Sequence, residues 1–184
     1  MSELKVSHRY ALSLLENSIE KKILDKVQGD MQLFSETLKD NRNLSLAMEN
    51  PVIRPEIKKN IIKEIFEKHF QKETIRFIDF IVDKGRETLL LSIADRFLAL
   101  VDDHLGVAKV KVNVAYDFSD EQKKILKEKL SKILNKKVEL SFSTNPNLIG
   151  GFVAKVGDTL YDATMQHQLD LLRKEFVKGS RALN

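Results

Sequence analysis

Residues 145–176 read NPNLIGGFVAKVGDTLYDATMQHQLDLLRKEF, and their order of local signals decides how the C-terminal part of the chain folds. Apolar residues alternate there with the period of a half-buried strand, at Phe152, Ala154 and Val156. The Gly157–Asp158 pair predicts a tight turn, after which Thr159–Tyr161 pairs back as a β-hairpin. An amphipathic helix follows, because apolar residues recur at spacings of four, three and four: Met165, Leu169, Leu172 and Phe176.

Two adjacent glycines, Gly150 and Gly151, stand immediately before this strand. A phosphate-binding loop would need a lysine and then Ser or Thr after its last glycine, at the start of a helix. Here Gly157 is followed by Asp158 and a predicted hairpin strand instead. We therefore interpret the glycine pair as a place of close backbone approach or positive φ where a strand begins.

Between Gly106 and this stretch, apolar and polar residues again alternate in two segments. Alternating apolar residues predict two further strands, at Val110, Val112, Val114 and Tyr116, and at Val138, Leu140 and Phe142. Between them, Ser119 and Gln122 have the spacing of a capping box that opens a helix. Residues 106–184 are therefore predicted to form a small α+β domain with a β-hairpin and a C-terminal helix.

Residues 1–105 show a different period, with apolar residues three and four apart in six successive segments. Pro51 and Gly85 end two of these segments, Pro55 suits the first turn of the fourth, and Thr74 suits the N-cap of the fifth. The predicted fold class is mainly α: an N-terminal six-helix bundle over residues 1–105, followed by the smaller α+β domain.

Composition excludes several classes of protein. The 184 residues contain no cysteine, which rules out disulfides, thiolate nucleophiles and cysteine-based zinc sites. The first residues lack the apolar core of a signal peptide, and Glu3, Glu16 and Glu20 interrupt any transit-peptide pattern. No window approaches about 18 uninterrupted apolar residues. We expect a cytosolic protein, with docking on a partner at a membrane as an open possibility.

No catalytic, cofactor or metal site is predicted. Asp158, Asp162 and His167 lie close in sequence, but their spacing matches no standard metal motif, and Asp162 suits the N-terminus of the last helix. The four histidines are scattered, and no Ser–His–Asp order or pair of acids stands out. We therefore expect no cofactor, no bound metal and no catalytic residue.

A lysine-rich segment extends from Lys109 to Lys137. Within residues 107–137, nine lysines against four acidic residues give a charge of +5, while the whole chain carries +4. Such a segment is either a solvated face or a contact for nucleic acid, anionic lipid or an acidic protein. Tyr116 and Phe118 are its only candidates for base stacking. A basic RNA- or protein-binding adaptor and a metal-dependent hydrolase remain the competing functional classes.

Five segments in this order resemble the delta subunit of F-type ATP synthases, the family of the mitochondrial oligomycin-sensitivity-conferral protein. They are HRYALSLLENS at residues 8–18, NPVIRPEIKKNIIKEIF at 50–66, FIDFIVDKGRETLLLSIADRFLALVDDHLG at 77–106, VKVNVAYDFSDEQKKILKEKL at 110–130 and NPNLIGGFVAKVGDTLYDATMQHQL at 145–169. The resemblance covers nearly the whole chain. Its departures are small: Asp162-Ala163-Thr164 stands where the family often has Asp-Gly-Ser, and Lys84-Gly85-Arg86 where it has a polar-Arg-Arg turn.

The resemblance implies a non-catalytic stator subunit that links the catalytic head to the peripheral stalk, so that rotation is coupled to ATP synthesis. It implies that the first and fifth helices form a groove for the N-terminal helix of the alpha subunit. From the apolar residues alone, a plain core is the better explanation than a groove. The groove residues implied are Tyr10, Ala11, Leu14, Leu15, Ser18, Phe77, Ile78, Ile81 and Val82. We expect Ala11→Asp or Ile78→Asp to abolish binding of the alpha peptide while leaving the fold intact.

The same resemblance implies that the C-terminal domain, residues 106–184, binds the b subunits of the stalk. The residues implied lie on the last helix: Met165, Leu169, Leu172 and Phe176. It further implies a peripheral protein on the cytoplasmic face of the bacterial cell membrane, held there through the complex without direct insertion. No homo-oligomer and no nucleic-acid partner are expected from it.

Overall fold

The computed structural model describes residues 3–157 and 159–181, with the backbone alone for residues 175–181. The chain divides into two compact units, Met1–His104 and Leu105–Asn184. None of the described helices combines the length and the apolar composition that a membrane span requires.

The first unit is built from helices alone, which confirms the predicted bundle of six. They are α1 (Glu3–Glu20), α2 (Leu24–Asp40), α3 (Arg42–Glu49), α4 (Pro55–Phe66), α5 (Lys72–Asp83) and α6 (Leu90–His104), with a 3-10 turn at Glu87–Leu89 before α6. Pro55 occupies the first turn of α4, as predicted. Gly85 follows α5 at a φ of 63°, the left-handed conformation that ends a helix.

Aromatic side chains fill the centre of this unit. Phe34, Phe66 and Phe97 are at most 2% exposed. The rings of Phe34 and Phe66 meet edge to face with centroids 5.4 Å apart, and Phe70 stacks on Phe66 at 4.6 Å. Burial of each such ring is worth roughly 1.5–3 kcal/mol, so Phe34 on α2, Phe66 on α4 and Phe97 on α6 contribute strongly to the stability of the bundle.

Thr74 does not cap α5, contrary to the prediction. The helix begins two residues earlier, at Lys72, with Gln71 as its N-cap residue. The cap comes instead from Asp30, a buried carboxylate on α2 that accepts the backbone N–H of Gln71 at 2.8 Å and the hydroxyl of Thr74 at 2.6 Å. A side chain distant in sequence therefore satisfies one of the backbone donors at the start of the helix.

One lysine is buried at the junction of three elements. Lys58 on α4 is 0% exposed, and its ammonium donates to the carbonyl oxygen of Met48 at 2.7 Å and to Glu87 Oε1 at 2.6 Å. The Met48 carbonyl belongs to the last turn of α3, where a positive charge is favourable. This contact ties α3, α4 and the 3-10 turn together.

The second unit is a four-stranded sheet with two helices. Its elements are β1 (Val107–Val114), α7 (Asp120–Leu134), β2 (Lys137–Thr144), β3 (Phe152–Val156), β4 (Thr159–Asp162) and α8 (Met165–Arg181). The strand order is β2-β1-β3-β4, in which β1 and β2 are parallel and the other pairs antiparallel. Helix α7 makes the crossover that a parallel pair requires. The predicted fold class is thereby confirmed.

Alternation along β1 places its even-numbered residues on one face of the sheet. Ala108, Val110, Val112 and Val114 are buried there against Leu126 and Leu130 of α7, in one core. Ser119 accepts from Gln122 N and donates its own N–H to the Gln122 side chain, so the predicted capping box is present. The odd-numbered residues face away from α7 and form the open face of the sheet.

The glycine pair behaves as predicted. Gly151 has a φ of 82°, and a Cβ there would lie 2.3 Å from the carbonyl oxygen of Ala163. Thr164 caps α8, because its hydroxyl accepts the backbone N–H of His167 at 3.2 Å. The hairpin of β3 and β4 is present; Asp158 lies outside the described residues.

Candidate functional site

A groove runs between α1 and α5 on the surface of the first unit. The ring of Tyr10 meets that of Phe80 edge to face at 6.3 Å, and Lys21 pairs with Glu73 at 3.7 Å. Because residue 10 lies beside residue 80 and residue 21 beside residue 73, the two helices run antiparallel. The groove extends over about three turns of α1 and about two turns of α5, between Glu73 and Phe80, which gives it a length of roughly 12–16 Å. Its volume is about 450 Å³.

The lining of the groove is apolar at its centre and cationic at its rim. Leu14 and Phe77 contribute the apolar centre, with Tyr10 and Phe80 beside them, and Phe80 is 46% exposed. The charged residues that line it are Arg9, Lys21, Arg76 and Glu73, which sum to +2. Ser13, Asn17 and Ser18 complete the lining. This arrangement suits an apolar segment that also carries acidic side chains.

Two further cations lie over the aromatic rings at one end of the groove. Arg86 stands 5.6 Å from the ring centroid of Tyr10, and Lys84 stands 5.4 Å from that of Phe80. These cation–π contacts hold the rings in place and add positive charge near the groove.

The nine residues predicted from the first and fifth helices separate into two groups. Four line the groove, Tyr10, Leu14, Ser18 and Phe77, although Leu14 and Ser18 are themselves only 5% and 1% exposed. The other five pack in the core, with exposures of 0% to 7%: Ala11, Leu15, Ile78, Ile81 and Val82. The expectation that Ala11→Asp or Ile78→Asp leaves the fold intact is wrong, because both side chains are 0% exposed and a carboxylate there would be buried without a partner.

The sequence did not predict seven of the lining residues: the polar Arg9, Ser13, Asn17, Lys21, Glu73 and Arg76, and the aromatic Phe80. The spacing of residues along α5 indicates which of them share a face. Along α5, Glu73, Phe77 and Phe80 follow one face, whereas Ile75, Ile78 and Val82 follow another. The first face lines the groove, and the second is buried in the core.

Helix α8 carries a second candidate surface. Met165, Leu169 and Leu172 share one side of the helix by their spacing, and they are 56%, 64% and 51% exposed. Met165 is anchored at the base, because its N–H donates to the carbonyl of Gly150 at 3.0 Å and its side chain packs against that glycine. The side chain of Phe176 lies outside the described residues. Large exposed apolar side chains in a row are typical of a protein-binding face.

Asp162 does not begin the last helix, contrary to the prediction: it is the last residue of β4, and it bonds to Thr164, the cap residue of α8, which also accepts the N–H of His167. Asp162 Oδ1 accepts the backbone N–H of Thr164 at 2.9 Å and its hydroxyl at 2.7 Å. These two hydrogen bonds, the backbone one first, lower the pKa of Asp162. Among the residues described, no group of three or more His, Asp or Glu side chains could hold a metal ion.

The lysines of the basic segment lie on two different surfaces. Lys111 of β1 is exposed on the open face of the sheet, whereas Lys124 and Lys127 are exposed on α7, which packs on the opposite face. The segment therefore does not form one continuous basic surface of the kind that binds nucleic acid.

Comparison with known proteins agrees with this architecture. The profile of the family described as "ATP synthase delta (OSCP) subunit" matches residues 6–176. The chain belongs to this family. Members of the ATP synthase delta family are structural subunits of ATP synthase and not catalytic ones, and this chain is one of its non-catalytic, structural members.

Relatives within the delta family match over nearly their whole length. The proteins named "ATP synthase subunit delta" of Chlorobaculum tepidum and Chlorobaculum parvum are 38% and 40% identical over 177 residues, which cover 96% of this chain and 98% of each relative. A chain in the cryo-EM structure of the Toxoplasma gondii mitochondrial ATP synthase hexamer shares the fold with a TM-score of 0.74 at 18% identity, over 93% of this chain and 97% of that one.

Proposed function

We propose that this chain joins the catalytic head of an F-type ATP synthase to its peripheral stalk and holds the head against rotation. The first unit binds the N-terminal helix of an alpha subunit, and the second unit binds the b subunits of the stalk. The chain performs no bond chemistry in this role. The observation that carries the proposal is the apolar groove with a cationic rim, found in a member of the delta family.

The groove supports the first contact through its size and chemistry. A length of roughly 12–16 Å accepts two to three turns of one helix, whose apolar residues at spacings of three and four would meet Phe77 and Phe80. Arg9 and Arg76 at the rim favour a helix that carries acidic side chains beside its apolar stripe.

The exposed stripe on α8 supports the second contact. Met165, Leu169 and Leu172 present a continuous apolar side that a stalk helix would cover. Since one chain would then hold two partners of the same complex, release of either contact is followed by rebinding at a high effective concentration. Through these contacts the chain sits at the cytoplasmic face of the membrane.

The first contact is tested by calorimetric titration with a synthetic peptide of the alpha subunit N-terminus from the same organism. Phe80→Asp places a charge in the groove at a side chain that is already 46% exposed, so the fold is retained. Because buried aromatic anchors dominate such interfaces, we expect affinity to fall at least tenfold, about 1.4 kcal/mol. Leu33→Asp, on α2 and 43% exposed, is the matched control and should bind normally. If the folded Phe80→Asp variant binds the alpha peptide with unchanged affinity, the groove is not the binding site of that peptide.

The second contact is tested with the purified soluble part of the b subunit. Leu169→Asp should weaken its binding to the chain, whereas Ile133→Asp on α7 should not. The two side chains are almost equally exposed, at 64% and 66%, so they differ in position and not in accessibility. Equal effects of both substitutions would count against α8 as the stalk contact.

A further inference from the structure

The open face of the sheet in the second unit carries a pair of lysines that lie directly opposite each other. Lys111 on β1 is the register partner of Lys155 on β3, and both side chains are exposed. Directly opposed residues on one face of an antiparallel pair have Cβ atoms about 4.5–5.5 Å apart, and like charges at that spacing destabilise the sheet.

Neither ammonium forms an ion pair with a carboxylate of the residues that the structure describes. Acidic side chains do stand on the same face, because Glu139 is the register partner of Lys109, and Asp162 that of Val153. They flank the lysine pair without neutralising it. The sheet therefore bears an electrostatic cost that an anionic group bound between the two lysines would relieve.

The neighbours of the lysine pair define the chemistry of what could bind there. In register across the sheet, Ser141 lies beside Lys111, and Leu160 lies beside Lys155 with 59% of its surface exposed. The face thus combines the lysine pair with two further lysines, Lys109 and Lys137, and with an exposed apolar side chain. Glu139 and Asp162 interrupt the positive charge of this face, which favours a segment with separate carboxylates over a continuous polyanion such as RNA or an anionic membrane. An apolar protein segment with one or two carboxylates fits this pattern.

We propose that this open sheet face, with Lys111 and Lys155 as its paired contacts, binds a carboxylate-bearing segment of the stalk b subunit. The inference rests on the proposed contact between the second unit and the stalk. The apolar stripe of α8 binds one part of the b subunit, and the lysine pair binds an acidic part of it. Charge at this pair adds specificity and speeds association, while the apolar stripe supplies most of the contact area.

Affinity for the stalk subunit tests the proposal. The double variant Lys111→Glu/Lys155→Glu should bind the purified soluble part of the b subunit at least about tenfold more weakly, with a smaller dependence on salt. The matched control is Lys124→Glu/Lys127→Glu, which makes the same charge change on the opposite side of the sheet and should bind as the wild type does. Circular dichroism confirms that both variants are folded.

Two further measurements separate a binding role from a structural one. Lys155→Thr should raise the melting temperature of the free chain, because it removes the like-charge pair, and should also weaken binding to the b subunit. A carbodiimide, which joins an ammonium to a contacting carboxylate, should cross-link Lys111 or Lys155 to an acidic residue of the b subunit, as read by mass spectrometry.

The outcomes distinguish this inference from the proposed function. If the wild-type chain does not bind the b subunit, both the proposed stalk contact and the proposed lysine contact are refuted. If the wild-type chain binds and the Lys111/Lys155 double variant binds equally well, only the proposed lysine contact is refuted. If the lysine pair matters for phosphatidylglycerol vesicles or for a single-stranded oligonucleotide but not for the b subunit, the inference is overturned and the stalk contact stands.

Discussion

Replacement of Lys58 by methionine should strongly destabilise the helical unit. Methionine fills nearly the same volume as the lysine stem but removes the ammonium that joins Met48 O and Glu87 Oε1. Glu87 then keeps a carboxylate that is only 13% exposed, and its Oε2 is already buried without a hydrogen bond. Loss of one partner of a buried ion pair typically costs about 3–5 kcal/mol, because the remaining charge is uncompensated.

The assay is thermal unfolding of the full chain, followed by circular dichroism of its helices. For a unit of this size, each kcal/mol lowers the melting temperature by about 4–8 °C, so Lys58→Met should lower the helical transition by at least about 12 °C. The matched control is Lys39→Met, which breaks the exposed pair between Lys39 and Asp95 and should cost less than about 1 kcal/mol.

A second variant identifies the cause of that loss. In Lys58→Met/Glu87→Met no buried charge remains, so the double variant should be clearly more stable than Lys58→Met alone. The reasoning about an uncompensated charge is refuted if Lys58→Met costs no more stability than Lys39→Met. It is also refuted if Glu87→Met lowers the free energy of unfolding by the same amount in the wild type and in Lys58→Met.

Three further predictions concern a helix cap, a glycine and the pH dependence of the Lys58–Glu87 pair. Asp30→Ala should cost about 2–3 kcal/mol in urea unfolding, since it leaves Gln71 N–H and the Thr74 hydroxyl unpaired, and Asp40→Ala on the exposed end of α2 should not. Gly151→Ala should cost more than about 3 kcal/mol and disorder the sheet in NMR spectra, because its Cβ would meet a backbone oxygen, whereas Gly157→Ala, with open space around it, should cost about 1–2 kcal/mol. Burial alone would raise the pKa of Glu87, but the hydrogen bonds from Lys58 and from its own backbone, with the Lys58 charge, lower it below 4.5. Its stabilisation is therefore complete above pH 4.5 and lost as the pH falls through the folded-state pKa, so wild type should lose more stability than Glu87→Gln on acidification.

Local patterns in the sequence were enough to predict most secondary structure. The Ser119–Gln122 capping box, Pro55 in the first turn of α4 and the glycine after α5 are all present as predicted. Each depends on residues within a few positions of one another, where backbone geometry and hydrogen bonding act directly. Thr74 is the exception, because its hydroxyl bonds to Asp30, 44 residues earlier in the chain.

The candidate groove could be predicted only in outline. The resemblance to the delta family pointed to the first and fifth helices, but it did not separate Phe77, which lines the groove, from Ile78, which is buried behind it. Neighbouring residues on a helix point about 100° apart, so the rotation of each helix against the bundle decides which of the two is accessible. That rotation depends on how all six helices pack.

The sequence by itself determined the family, the two-part organisation and the types of the successive elements, because these follow from spacing and from residue order along the chain. Only the tertiary structure decided the parallel pairing of β1 with β2, the burial of Lys58 against Glu87 and the opposition of Lys111 to Lys155. The partners in these contacts lie 29 to 44 residues apart. Their pairing depends on how the elements pack together, which no local pattern of apolar and polar residues specifies.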